Sequence, residues 1–476
     1  MYFFVAGTKL GEAPMRQSLK HTRGRNMIRI SKVVTAVAAA LTIMLPIASS
    51  IQAAPVLARS SDGFVDTIGV NVHSSHLFWP AGTAYDNWSA VTTSIGDLGI
   101  RYVRDVPSAT ARLNSLYDAT GAKVDVLVDG RGPGYVLDPN LLPSVLASAK
   151  ALKGIVYMEG PNEYDQAGDA PSDPNWKATV HNWVVSMAGQ IRSDPTLSAY
   201  PIIAPSPEAP QNLAVIGDQS AYVDLGNIHS YPNAHPATNL LPYKLSQAAL
   251  ISGNKPVVAT ESGYQSHAGL MTNTNDVSLA AGGKYFPRML MEYFRQGIQR
   301  TFLYELVDDF LDTTHQNPEY NLGLLNNDFT SKPAATAVKN LIHLLKDPGA
   351  SFTPSTLNFT LTGGNADLHQ VLLQKSDGTF WLALWQNVSV FDNPTSTDLT
   401  NPDLPVTLTF DSAFASAATY LPDGSILPTA TFASGLQLHL NVPDQVLLVQ
   451  ITPTPEPASA LAIAGATMML LRRKRR

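Results

Sequence analysis

The sequence predicts an α/β protein: a (β/α)8 TIM barrel followed by a small antiparallel β-sandwich domain. Three observations predict it. Between about residues 62 and 310, short apolar, β-branched runs alternate with longer helical stretches, the pattern of parallel βαβ units. Eight such runs fall in roughly 250 residues, the count of a closed barrel. After about Pro348 the texture changes to alternating apolar and polar residues punctuated by hairpin turns.

The eight expected strands are Val65–His73, Ile100–Asp105, Lys123–Asp129, Ile155–Glu163, Ile202–Pro207, Asn227–Pro232, Pro256–Gly263 and Thr301–Asp308. Leu141–Leu152, Trp176–Arg192 and Ser278–Gln296 read as helices between them. An open doubly wound sheet is the alternative, but its phosphate loop is missing: Gly130-Arg131-Gly132-Pro133-Gly134 lacks the spacing. The barrel is expected over residues 62–345. The β domain is expected over 350–451, with Phe352–Leu361, His369–Gln374, Phe380–Gln386, Val406–Phe410, Ala417–Leu421 and Leu436–Gln450 as strands. Asp377-Gly378 and Asp423-Gly424 mark hairpins. Trp381 and Trp385 alternate with Leu382 and Leu384, which predicts one face of that strand as core.

The two ends read as targeting segments. Residues 1–53 contain a signal peptide region, with the translation start expected at Met27. Arg29 and Lys32 precede an apolar stretch from Val33 to Ala48. A permanent anchor is the competing reading, since no clear A-x-A site follows. Residues 454–476 hold Pro455-Glu456-Pro457, an apolar run from Ala458 to Leu471 and five terminal basic residues. That run is short for an ordinary span of about 20 residues. The three-part order resembles the PEP-CTERM sorting signal of Gram-negative bacteria. The resemblance implies an exosortase-type processing enzyme as partner and delivery to the cell envelope or extracellular matrix. A plain tail anchor is the bland alternative. Membrane contact is expected only through these terminal segments.

Of 32 Lys/Arg and 38 Asp/Glu, residues 1–53 hold seven basic and one acidic, and residues 454–476 five basic and one acidic. The remainder carries 20 against 36, a net charge of −16. Such a surface repels nucleic acid and anionic polymers, so a neutral partner is expected. With no cysteine, disulfides, thiolate metal sites and thiol nucleophiles are excluded. There is no Gly-x-Ser-x-Gly elbow, His-Glu-x-x-His or phosphate loop. Asp308, Asp309 and Asp312 do not form an EF-hand loop. No metal and no cofactor is expected.

Chemistry in such a barrel sits at the C-terminal strand ends. Here they carry Asn71 and His73, Arg104 and Asp105, Asn162 and Glu163, His229 to Tyr231, Thr260 and Glu261, then Glu305, Asp308 and Asp309. Two carboxylates facing one cleft are the minimum for hydrolysing a glycosidic bond. Glu163 and Glu261 lie three βα units apart, so their side chains can meet across the barrel mouth.

These residues resemble the clan A glycoside hydrolases, which have Asn-Glu after strand four and Glu after strand seven. The resemblance covers the whole barrel, and an appended β domain is common in that clan. It implies that Glu163 is the general acid/base and Glu261 the nucleophile, with retention of configuration. Asn162 matches the asparagine that binds the sugar 2-hydroxyl. Arg104 matches the strand-two arginine supporting the nucleophile, and His229 with Tyr231 matches the strand-six His-x-Tyr pattern. The chain departs at strand eight, where many members have a tryptophan and this one reads Phe302-Leu303-Tyr304-Glu305-Leu306.

Each residue also has a plainer reading. Glu163 alone could be a turn acid, Arg104 a core ion-pair partner and His229 a satisfied core histidine. His73 or its neighbour His76 could line the cleft, and Glu305 is expected to bind or support substrate. Glu159 and Asp165 are nearby acids without an expected role. Trp79, Trp88 and Trp176 could stack on sugar or pack the rim. A different class of function is a catalytically inactive barrel that binds polysaccharide at the cell surface.

Overall fold

The computed structural model describes residues 54–76, 81–132, 135–165, 173–267, 275–315 and 317–454. The expected signal region, the sorting segment after Thr454 and Trp79 lie outside the described residues.

The barrel strands are β1 (Ile68–Asn71), β2 (Tyr102–Asp105), β3 (Lys123–Leu127), β4 (Ile155–Glu159), β5 (Ile202–Ile203), β6 (Gly226–His229), β7 (Val257–Ser262) and β8 (Thr301–Leu303). All pair in parallel, in the order β5-β4-β3-β2-β1-β8-β7-β6. A bridge between Ile203 and Leu225 joins the two ends and closes the ring. Each strand is followed by a helix. The longest are Trp176–Ser193 after β4 and Leu279–Arg295 after β7.

The strands are shorter than their apolar runs suggested. Several runs continue past the paired segment into the loops that carry the polar tips. β4 stops at Glu159, and Asn162 makes only an isolated bridge to Ser206. Gly160 explains the turn-off: a Cβ there would sit 2.8 Å from the Pro205 nitrogen. Gly263 similarly lets the chain leave β7 beside the Tyr304 carbonyl oxygen, 2.6 Å from where a Cβ would stand.

Alternation along the strands fills the barrel in layers. Tyr157, Ile203, Leu225, Val258 and Phe302 form an apolar layer, with Tyr102 packed against it. The Arg300 guanidinium lies 3.5 Å over the Tyr102 ring. Two residues further along the strands come Arg104, Glu159, Asn227 and Thr260, all buried. The functional tips stand on this polar layer.

The second sheet is antiparallel. Its strands are β9 (Thr356–Gly363), β10 (Leu368–Gln374), β11 (Phe380–Gln386), β12 (Leu404–Tyr420), β13 (Ala430–Val442) and β14 (Leu447–Pro453). The long β12 pairs with β9 through Val406–Phe410 and with β14 through Phe414–Tyr420. Its pairing with β13 shifts register between those halves, which lets one strand take different neighbours along its length. Two short segments from before the barrel join in. Ala54–Leu57 pairs antiparallel with β9, and Arg59–Ser60 pairs parallel with β10.

Both faces of β11 are buried, not one. Leu382 and Leu384 belong to the sandwich core, while Trp381, Ala383 and Trp385 join the core that includes helix Leu279–Arg295. Polar clamps reinforce that contact. Arg288 donates to the carbonyl oxygens of Asp444 and Val388. Buried Glu292 meets His369 Nδ1 at 2.8 Å.

Candidate active site

The site is assembled around Arg104, which is 4% exposed. Its Nε and Nη2 donate to both oxygens of Glu159, at 2.5 and 2.9 Å. Nη1 donates to Glu261 Oε1 at 2.7 Å and to Asn71 Oδ1 at 3.0 Å. Nη2 also reaches Asn162 Oδ1 at 2.7 Å. One planar guanidinium therefore fixes residues from β1, β4, β7 and the loop after β4. The buried charge is matched by two carboxylates, the condition under which such a network is tolerated.

Glu261 ends up between donors. Oε1 takes Arg104, and Oε2 takes the Tyr231 hydroxyl at 2.8 Å. Burial pushes its carboxyl up, but the charges of His229 and Arg104 and the hydrogen bonds from Tyr231 and Arg104 outweigh it, and the net shift is down. Glu261 is held ionised.

Glu163 sits opposite, on a backbone with φ of 38°, its N–H tied to the Ser206 carbonyl oxygen at 2.6 Å. Its Oε1 lies 2.5 Å from His229 Nδ1. Burial raises its pKa, the His229 charge and hydrogen bond oppose that, and the charges of Glu261 and Glu208 add to the rise. The net shift is up. His229 moves up as well: burial lowers it, and the charges of Glu261 and Glu163 more than restore it. A carboxylate oxygen of each glutamate and a ring nitrogen of His229 all lie within 4.8 Å of one another. Such donors could converge on a divalent cation, but Arg104 already brings a positive charge onto Glu261 there.

The other expected residues fall as follows. Asn162 sits beside Glu163, its backbone N–H held by Asp129 at 3.1 Å. His73 stands on the opposite side, its ring edge-on to Tyr304 at 5.8 Å and its Nε2 3.1 Å from Glu305. Glu305 is 1% exposed and accepts from the Tyr85 hydroxyl at 2.7 Å. Burial raises Glu305 well above the ordinary carboxyl range and lowers His73. Glu305 thus lies beneath His73. Tyr304 takes the strand-eight position and approaches Tyr231 edge-on at 6.4 Å. His76 pairs with Asp86 away from this cluster, at 3.2 Å. Asp165 holds the loop after β5 through the N–H groups of Glu208 and Ala209.

Three residues to which the sequence assigned no role complete the site. Glu159 is fully buried and holds Arg104; its place two residues after Tyr157 in an inward-facing alternation was the available signal. Asn227 donates to Glu159 Oε1 and to the Ala204 carbonyl oxygen, each at 3.0 Å. Thr260 approaches Glu159 Oε1, Asn227 Oδ1 and His229 Nε2 at 3.0, 2.8 and 3.1 Å. Chemically, the site offers a raised carboxyl and a lowered one side by side, the requirement for acid-assisted displacement at an anomeric carbon.

No protein-family model and no curated protein matches the sequence. The fold, however, is shared with solved glycoside hydrolases. A glucosidase from Croceicoccus marinus superposes with a TM-score of 0.56 at 11% identity, over 85% of this chain and 98% of that one. A family 39 glycoside hydrolase from Bacteroides cellulosilyticus WH2 gives 0.49 at 17% identity over 83% of each chain. At these identities the likeness speaks to fold alone.

Proposed function

We propose that the protein is a retaining glycoside hydrolase that cleaves β-glycosidic bonds of a neutral polysaccharide or oligosaccharide. The observation that carries this reading is the pairing of Glu163 and Glu261, with carboxylate oxygens within 4.8 Å and pKa shifts of opposite sign. Retaining enzymes separate their carboxyl groups by about 5–5.5 Å and inverting ones by about 6.5–9.5 Å, leaving room for a water. Glu163 protonates the leaving oxygen while Glu261 attacks the anomeric carbon. Deprotonated Glu163 then activates the water that releases the glycosyl-enzyme. Asn162, beside the acid, is suited to hold a sugar hydroxyl. His73, Tyr304 and Tyr231 form the facing wall.

The test is a reducing-end screen on glucan, mannan, xylan and galactan, followed by two variants. Glu261→Ala abolishes turnover, and azide restores Glu163→Ala on an activated aryl glycoside with formation of the β-glycosyl azide. Full activity in either variant sinks the assignment. An inactive polysaccharide-binding barrel would retard in affinity gels without releasing reducing ends.

We further propose that the protein is exported and its tail processed by an exosortase-type enzyme, on the strength of the terminal motifs alone. Cell fractionation with and without residues 454–476 checks this: loss of envelope or matrix delivery is expected on truncation.

A further inference from the structure

A ring of hydrogen bonds behind the two glutamates has a consequence for where protons reside. Asn227 Nδ2 donates to the Ala204 carbonyl oxygen and to Glu159, which orients its amide and leaves Oδ1 as a pure acceptor toward Thr260. Glu159, bound in bidentate fashion by Arg104, is likewise acceptor-only. The Thr260 hydroxyl has one proton and two acceptors, at 2.8 and 3.0 Å. Toward the third neighbour, His229 Nε2 at 3.1 Å, its oxygen can then only accept. Nε2 must carry a hydrogen.

We propose that Thr260, oriented by Asn227 and Glu159, locks His229 in the Nε2–H form, so that Glu163 and His229 Nδ1 share a single additional proton that serves as the catalytic acid. This rests on the reading of Glu163 as proton donor. Before reaction the 2.5 Å contact between Glu163 Oε1 and Nδ1 contains the shared proton. Donation to the leaving oxygen removes it. A carboxylate then faces the bare Nδ1 lone pair, an unfavourable contact relieved when the pair takes a proton from the attacking water. The neutral alternative, with hydrogen on Nδ1 and none on Nε2, would require Thr260 to abandon a buried acceptor. Thr260 thereby keeps the acid protonated to higher pH. It is a positioning residue, since it acts through His229.

The charged groups around the pair are Glu261 from β7, Arg104 from β2, Glu159 from β4, Glu208 from the loop after β5, and Lys244. Lys244 donates to the His229 carbonyl oxygen at 3.0 Å, and burial lowers its own pKa to about 8. All remain in a Thr260 variant, so a comparison with the parent isolates the hydroxyl.

The experiment has two arms. In the first, pH profiles of kcat/KM on an oligosaccharide the parent hydrolyses are compared for Thr260→Val and Thr260→Ser. The valine variant moves the alkaline limb toward acid by roughly one unit, the scale of the one hydrogen bond that the freed Nδ1–H tautomer makes to the Glu163 carboxylate once the proton is lost, and serine restores the parent limb. An unmoved limb, or serine behaving as valine does, overturns the proposal. In the second, imidazole 15N spectra of the unmodified protein, with His229 assigned through His229→Gln, show Nε2 protonated throughout about pH 5 to 9. A bare Nε2 overturns the proposal even if the valine variant fails to fold. This arm needs no turnover. A protein with Nε2 protonated but no hydrolytic activity separates failure of the glycosidase reading from failure of this one.

Discussion

Arg104 shows how much one side chain can be asked to do. It orients Asn162, helps hold the Glu261 pKa down and sets its charge against Glu159, all through one rigid fork. Lysine keeps the charge but cannot make these contacts together. Arg104→Lys should lower kcat/KM by about two to three orders of magnitude, the range for losing a preorganised donor at a developing charge. Because Arg104 helps hold Glu261 below its ordinary value, the acid limb should also move to higher pH. A profile with an unchanged acid limb contradicts this role. Asp125 makes the opposite case. It is fully buried, and burial followed by the charge of Glu159 raises its pKa well above 3.8. Its contribution to stability is full below that ordinary value and is lost as pH rises toward the folded one. Asp125→Asn should therefore raise the melting temperature at neutral pH and leave it nearly unchanged near pH 3.5, as read by calorimetry. A neutral-pH Tm no higher than the parent's refutes this account. The sequence showed Glu163 and Glu261 because acids at the ends of apolar runs stand out. It hid Glu159, Asn227 and Thr260 because their meaning lies in contacts among β4, β6 and β7 that no local pattern records.

Elements were more legible than their limits. Apolar runs gave the barrel strands their places, but a run stays apolar after the hydrogen bonding stops, so β4, β5 and β8 are shorter than their runs. Helix Leu279–Arg295 ends within a residue of its expected span. Its outward face was not legible at all. Glu292 on that helix would pass for a surface acid, yet it is buried against His369, Arg295 and Gln296. Burial raises its pKa, and those three hydrogen bonds outweigh it, leaving a value of about 2 against an ordinary 4.5. A depressed carboxyl adds stability that is present above pH 4.5 and lost as pH falls toward about 2. Glu292→Gln should flatten the dependence of Tm on pH across that window and lower Tm above it. Parallel Tm curves for the two proteins would show that the contact contributes nothing specific.

For the whole molecule, the barrel and the sandwich share a core rather than a linker. Trp381, Trp385, Val371, Leu373 and Leu448 pack in the same cluster as Tyr285, Met289 and Phe294. A chain ending after Leu345 would expose that apolar surface, far more than an isolated barrel tolerates. Such a truncation should be insoluble or aggregated on size exclusion, and a stable active monomer would show that the sandwich is dispensable. Closure of the barrel also follows from sequence rules, since eight βα units leave little choice. The membership of Ala54–Leu57 and Arg59–Ser60 in the second sheet does not. They lie before the barrel and find partners only after it.

That membership bears on the order in which the protein is made. Ala54–Leu57 emerges before any barrel strand, but its partner Thr356–Phe359 emerges after all eight. As synthesis proceeds from the amino end, the barrel can form while the segment before it waits for a strand some three hundred residues behind it. That pairing ties the segment before the barrel to the first strand after it, so it can form only once all eight barrel strands have been made.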